Sequence, residues 1–319
     1  MYISRPKSSV FGKLVEFKAK CSEVPFIQNG LDSWCSMPPT FDAVIEQVLQ
    51  FEVRSDDVFL VTFMKSGTTW MQETAWMLLN DLDYKGSAQL PLSQRSPFIE
   101  YHGIRPSFPN ALKLCEMLPS PRLIKSHLPA NLLPHQIWKK KTKLIYVARN
   151  CKDVIVSSYH FTKALGYWSG DNIADYVNDF MNNDVMYTSY WSHVVNFWKI
   201  RNKPNIFFVT YEEMKRNLKG VIERLCEFLE KPQLNDREME QLLEHLSFDN
   251  MKENKQTNAT AAIKQRIPNV DANFQFMRRG IVGSYKDELT PELKAKIDVW
   301  SKKVLDEHGL SEEDIFGKL

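Results

Sequence analysis

Apolar residues in this chain follow two rhythms. Short, nearly continuous runs at Val58–Phe63, Leu123–Lys125, Lys143–Ala148 and Ile206–Val209 are too apolar for half-exposed strands and too short for helices. Between them lie longer stretches at helical spacing: Thr69–Leu82, Lys152–Lys163, Asp171–Asn182, Met186–Ile200, Glu212–Leu229 and Asp236–Leu246. Buried strands alternating with helices predict an α/β fold, a mostly parallel central sheet flanked by helices. Phe41–Gln50 reads as a short amphipathic helix, and Thr290 before Pro291 opens a last helix running to about His308. Residues 1–40 read as irregular, Leu90–Pro121 as a Pro-rich connection, and Lys252–Gly283 as an aperiodic, Asn- and Arg-rich stretch. No linker, repeat or composition break interrupts the chain, so a single domain over 1–319 is expected.

In parallel sheets, ligands bind beyond the carboxyl ends of the strands. The first run passes into Met64-Lys65-Ser66-Gly67-Thr68-Thr69 and then a helix with Trp70 at its mouth. A strand–loop–helix of this kind is an anion cradle, because the first N–H groups of a helix lack partners and its dipole favours negative charge. Ser and Thr here also suit a plain helix cap. The loop lacks the Gly-x-x-x-x-Gly-Lys-Ser/Thr pattern of triphosphate binders. Lys125 and His127 follow the second run, Arg149 the third and Tyr211 the fourth. Four strand ends bearing Lys, Lys/His, Arg and Tyr predict one site for a flat, anionic ligand.

Composition narrows the classes. With 43% hydrophobic and 25% charged residues the chain is ordinary for a globular protein. Its 41 basic and 39 acidic residues balance to +2, which argues against nucleic-acid binding. The basic run Lys139–Lys143 reads as a solvated turn before a strand. No apolar stretch approaches the ~20 residues of a membrane span, and Met1–Lys20 lacks the apolar core of a secretory signal. The five scattered Cys form no C-x-x-C pair, which suggests reduced thiols in the cytoplasm and no metal site.

Four segments, taken in order, resemble the cytosolic sulfotransferase family: Met64–Trp70, Leu123–Pro129, Tyr146–Val154 leading to Ser157, and Phe276–Gly283. The resemblance implies transfer of a sulfuryl group from 3′-phosphoadenosine 5′-phosphosulfate to a hydroxyl or amine of a small apolar molecule, such as a phenol, steroid, retinoid or catecholamine. It implies catalytic roles for Lys65 at the leaving oxygen, Lys125 at the transferring group and His127 as general base, with Ser157 beside them. Ser66, Gly67, Thr68 and Thr69 would hold the 5′-phosphosulfate, and Arg149 and Ser157 the 3′-phosphate. Phe276, Met277, Arg278, Arg279 and Gly280 would close the donor site. Trp70 and Phe248 look like an adenine sandwich, with Tyr211 nearby. Phe26, Phe98, Tyr101 and Phe161 match acceptor-pocket positions, although aromatic residues at these places suit a core equally well. His102, His135, His160, His193, His245 and His308 are expected to be structural.

Some positions depart from the family pattern. Cys151 stands where Pro is usual, either as an inert small residue or as an oxidisable thiol. Leu246 replaces an adenine-contacting Thr or Ser, and Ser247 is the candidate to replace it in that role. Ser284-Tyr285 replaces Asp-Trp, and only Lys286 and Thr290 survive of the family's dimer motif, so a homodimer is in doubt. Two other outcomes stay open: elimination through a sulfonated alcohol, as in a retinol dehydratase relative, and a nucleotide-binding protein without catalysis.

Overall fold

The computed structural model describes residues 2–7, 14–19 and 34–318. Four parallel strands form the central sheet: β4 (Val58–Thr62), β5 (Leu123–Ser126), β6 (Lys143–Ala148) and β7 (Ile206–Thr210), in the order β5-β4-β6-β7. Successive side chains point to opposite faces. Phe59, Val61, Ile124, Leu144 and Tyr146 therefore join one buried core, and Val58, Leu60, Leu123, Ile145 and Val147 the other. Burial on both faces explains why these strands read as continuous apolar runs. β4 lies inside the sheet with β5 and β6 on either side, so the loop after it emerges between theirs.

The edge beyond β5 is extended by Phe98, which bridges Lys125 in parallel. Lys125 N–H donates to Pro97 O at 2.9 Å, and Ile99 N–H to Lys125 O at 3.0 Å. At the opposite ends of the strands, Arg122 forms a buried two-toothed pair with Asp57, at 2.7 and 2.5 Å.

Residues 1–40 are not irregular throughout. β1 (Tyr2–Lys7), β2 (Leu14–Ala19) and β3 (Cys35–Met37) form an antiparallel sheet in chain order. Ile3, Ser4, Arg5 and Pro6 of β1 are exposed, so the strand shows no apolar signal. Phe17 anchors the sheet edge-on against Phe41 at 5.2 Å. The Leu90–Pro121 connection contains helices Leu92–Arg95, Tyr101–Ile104 and Ala111–Met117, the longest two turns, too short to display a period. Helices Phe248–Glu253 and Thr260–Arg266 likewise occupy part of the stretch read as aperiodic. The segment expected as one helix over 212–229 is two, Tyr211–Arg216 and Leu218–Leu229. Asn217 separates them and caps the second by accepting from Gly220 N–H at 3.0 Å. The expected helix over 41–50 is a 3-10 turn, Pro39–Ala43, followed by helix Ile45–Leu49. Among the described residues, no helix is long and apolar enough to cross a membrane.

Candidate active site

The loop after β4 is shaped by two left-handed residues, Lys65 at φ 68° and Gly67 at φ 92°. Gly67 starts the helix Thr68–Leu79, and no side chain caps it. The nearby hydroxyls are otherwise disposed. Thr68 Oγ1 lies 2.7 Å from Thr62 Oγ1, and Ser66 Oγ is buried without a partner among the described residues. The cap reading therefore fails, and the helix N-terminus keeps its donors for an anion. A Cβ on Gly67 would stand 2.6 Å from Tyr211 Cδ2. Gly67→Ala is expected to cost about 1–2 kcal/mol in left-handed strain and to displace the Tyr211 ring. Chemical denaturation checks the first effect, and an unchanged midpoint would mean that the loop relaxes freely.

A cavity of about 650 Å³ opens at the carboxyl ends of the strands. Lys65, Lys125, His127, Arg149 and Tyr211 line it together, as the four strand ends predict, and Ser157 lines it as well. The ammonium of Lys65 lies 4.4 Å from the Phe161 ring centre and 4.9 Å from that of Phe276. That of Lys125 lies 4.2 Å from the Phe98 ring. Among the described residues neither lysine forms an ion pair with a carboxylate, and each ammonium rests on aromatic rings in cation–π contact. Burial, then the charges of Arg149, Lys125 and Arg278, lower Lys65 to about 7. Burial lowers Lys125 to about 8 against the opposing pull of Glu100.

His127 is fixed by its backbone and its ring. Its N–H donates to Glu100 Oε1 at 2.6 Å. Its Nδ1 lies 2.9 Å from Thr62 O and 3.1 Å from Thr62 Oγ1. A carbonyl only accepts, so Nδ1 carries the proton and Nε2 keeps the lone pair. Burial first, then the Lys125 charge, hold His127 well below the usual imidazole range, so it is neutral. Behind it, His193 bridges His127 O at 3.1 Å and Tyr146 OH at 2.7 Å, a structural role as expected.

Arg149 joins distant segments. Nη1 donates to Lys65 O at 3.0 Å and Nη2 to Ile281 O at 3.1 Å, while the guanidinium carbon sits 4.3 Å from the Tyr211 ring centre. Its buried Nε has no hydrogen-bond partner among the described residues. Asp153, on the helix Cys151–Ala164, fixes the far segment by accepting from Gly283 N–H at 2.7 Å, Ser284 Oγ at 2.9 Å and Tyr285 N–H at 3.2 Å. Ser284 is thus used in this chain to tie the segment down. Gly280 takes φ 65°, and a Cβ there would stand 2.1 Å from Phe248 Cδ2, so the Phe248 ring lies directly against this backbone.

The remaining expected residues divide clearly. Thr69, Trp70, Tyr211 and Phe248 line the cavity, as do Met277, Arg278 and Arg279. So do Phe98, Tyr101 and Phe161. Phe98 and Tyr101 stack at 5.4 Å, and Tyr101 packs on Phe108 at 4.8 Å, giving the cavity an aromatic wall. Ser66, fully buried, does not line the cavity, and neither does Ser247. Ser247 caps the helix Phe248–Glu253 by accepting from Asn250 N–H at 3.3 Å, and Leu246 faces the cavity instead. Phe26 lies outside the described residues. Cys151 is fully buried, and burial pushes its thiol well up, which favours the inert reading.

Sequence reasoning missed Glu100 and His160. Glu100 is buried beneath His127 and raised by that burial to about 7, and its Oε2 has no partner among the described residues. His160 lines the cavity and bonds Glu288. Their partners are 27 and 128 residues away in the chain, beyond any local pattern.

The sulfotransferase domain model matches residues 55–309. Luciferin sulfotransferase of Photinus pyralis is 39% identical over 276 residues, 81% of this chain and 74% of that protein. Sulfotransferase 1B1 of Canis lupus familiaris is 38% identical over 275 residues, 83% of this chain and 88% of its own. Among solved structures, mouse sulfotransferase SULT7A1 complexed with PAP superposes with TM-score 0.67 at 26% identity, covering 84% of this chain and 91% of that one. A retinol dehydratase in complex with androsterone and PAP gives TM-score 0.84 and covers 98% of both chains, a likeness of fold at 24% identity. The agreement of the family model with relatives this similar over most of the chain places it in the sulfotransferase family, as an enzyme of sulfuryl transfer.

Proposed function

We propose that the cavity binds 3′-phosphoadenosine 5′-phosphosulfate beside a small apolar acceptor and that Lys65, Lys125, His127 and Ser157 carry the transfer. The observation that supports this best is the convergence on one cavity of two lysines that ion-pair with no carboxylate among the described residues and of a neutral, oriented imidazole. The residues fit such a donor. Among the described residues Ser66 Oγ and Arg149 Nε are buried donors without partners, the helix after Gly67 is uncapped, and Gly67 and Gly280 let the Tyr211 and Phe248 rings, expected beside the base, pack directly on the loop backbone. When bound, the donor supplies the sulfuryl group and a leaving phosphate.

Lys65 is placed at the charge that grows on the leaving oxygen, where a preset cation contributes most. Lys125, held over Phe98, steadies the group in flight. His127 Nε2 takes the acceptor proton, since it holds the lone pair at neutral pH. Ser66, Gly67, Thr68 and Thr69 cradle the 5′ group. The planar fork of Arg149, with Ser157, grips the 3′-phosphate, and Arg278 and Arg279 close over it. Trp70, Tyr211 and Phe248 flank the base. The aromatic wall of Phe98, Tyr101 and Phe161 suits phenols, steroids, retinoids or catecholamines, because such pockets hold apolar bodies and orient them by a few polar groups. The scattered cysteines, which form no C-x-x-C pair, suit a cytoplasmic site of action.

A labelled-donor transfer assay across those acceptor classes tests the reading. A labelled sulfate ester is expected from at least one class. Tight binding of adenosine 3′,5′-bisphosphate (PAP) without any transfer would instead indicate a silent binder, and an anhydro product would indicate elimination.

A further inference from the structure

The two arginines closing the donor side of the cavity are already engaged by acids that do not themselves line it. Arg278 Nη1 donates to Glu288 Oε1 at 2.5 Å. Arg279 Nη2 donates to Asp287 Oδ2 at 2.6 Å, and its Nη1 lies 3.8 Å from the same Glu288 oxygen. The other oxygen of Glu288 bonds His160 Nε2. One carboxylate thus sits among two guanidiniums and an imidazole, all three of which line the cavity. Glu288 is rigidly carried. It ends the short 3-10 turn Ser284–Asp287, whose start Asp153 clamps, and the next residue, Leu289, is buried in the core. Although burial pushes it up, hydrogen bonds from His160 and Arg278 keep its carboxyl below the usual range, so it is an anion at neutral pH.

Two opposing consequences follow from that position. Glu288 aims Arg278 and steadies Arg279, which lowers the ordering cost of gripping a phosphate. It also places a negative charge behind the guanidiniums that a phosphate must share. We propose that Glu288 is a positioning residue that acts as a counter-charge, limiting how tightly the arginine pair holds a bisphosphate nucleotide and so easing departure of the spent donor. This rests on the donor reading above, since it concerns the same site.

The test is the Kd of PAP, measured by calorimetry at low and high salt. Glu288→Gln keeps an oxygen for Arg278 and removes the charge. It is expected to tighten PAP roughly tenfold at low salt, with the gain shrinking as salt screens it. Glu288→Asp keeps the charge and is expected to show no tightening. An E288Q affinity equal to or weaker than that of the parent protein would overturn the counter-charge and leave Glu288 a mere brace. If E288Q does not fold, D287N reads the same sign at the exposed acid on Arg279, with a smaller gain, and no gain there would also overturn the proposal. Failure of the parent protein to bind PAP would instead overturn the donor reading on which this one stands.

Discussion

Replacing His127 by alanine is expected to lower kcat by on the order of 10²–10⁴-fold, with the Kd for PAP close to that of the parent. The loss is expected to fall on chemistry because the structure commits this ring to one task. Nδ1 is spent on Thr62, so only Nε2 can accept a proton. Phe98 meets the ring edge-on at 4.9 Å and Tyr187 at 5.6 Å, which leaves little freedom to turn. Burial also decides the pH behaviour. The base must be unprotonated, and its pKa in this site is depressed. Activity should therefore persist below the ordinary imidazole range and be lost only as pH falls through the lowered value. A pH profile of kcat/KM checks this, since it reports groups of the free enzyme. Unchanged turnover in His127→Ala, or an acid limb near 6.5, would sink the assignment.

Where the sequence was informative, the reason is physical. A strand buried on both faces leaves few polar positions, so β4, β6 and β7 stood out, and the residues after them line the cavity. Phe98 was legible only as an aromatic. Its place beside Lys125 depends on an isolated strand bridge that no periodicity announces. β1 escaped notice because its exposed Ser4, Arg5 and Pro6 look like loop, and its pairing to β2 is held partly by ion pairs such as Arg5 with Glu16 at 2.7 Å. Charged groups that act through others were hidden for the same reason. Glu73 is fully buried on the helix after the loop. It pairs with Arg95 at 2.7 Å and His245 at 2.9 Å, tying the 90–121 connection to the helix that leads toward Phe248. Each partner lies far along the chain, and a buried carboxylate cannot be told from a surface one without the fold.

Replacing Lys65 by alanine is expected to reduce kcat by on the order of 10²–10³-fold, the loss typical when one preset stabiliser of developing charge is removed. Single-turnover measurement separates this from product release, and a kcat within a few-fold of the parent would remove Lys65 from the chemistry. A second readout follows from its environment. In the free protein Lys65 titrates at about 7, its charge opposed by burial and by Arg149, Lys125 and Arg278. An anionic nucleotide beside the ammonium favours the charged form and raises that value. Binding at pH near 8 should therefore draw a proton from solution. Affinity for PAP should be flat below about 7, where the lysine is already charged, and should fall as pH rises above it. Calorimetry in two buffers of different ionisation heat measures the proton directly. Lys65→Ala should abolish most of the uptake and leave the share belonging to Lys125, which titrates at about 8. If the parent protein takes up no proton at that pH, the ammonium is not placed against the nucleotide's charge, and its role at the leaving oxygen falls with it.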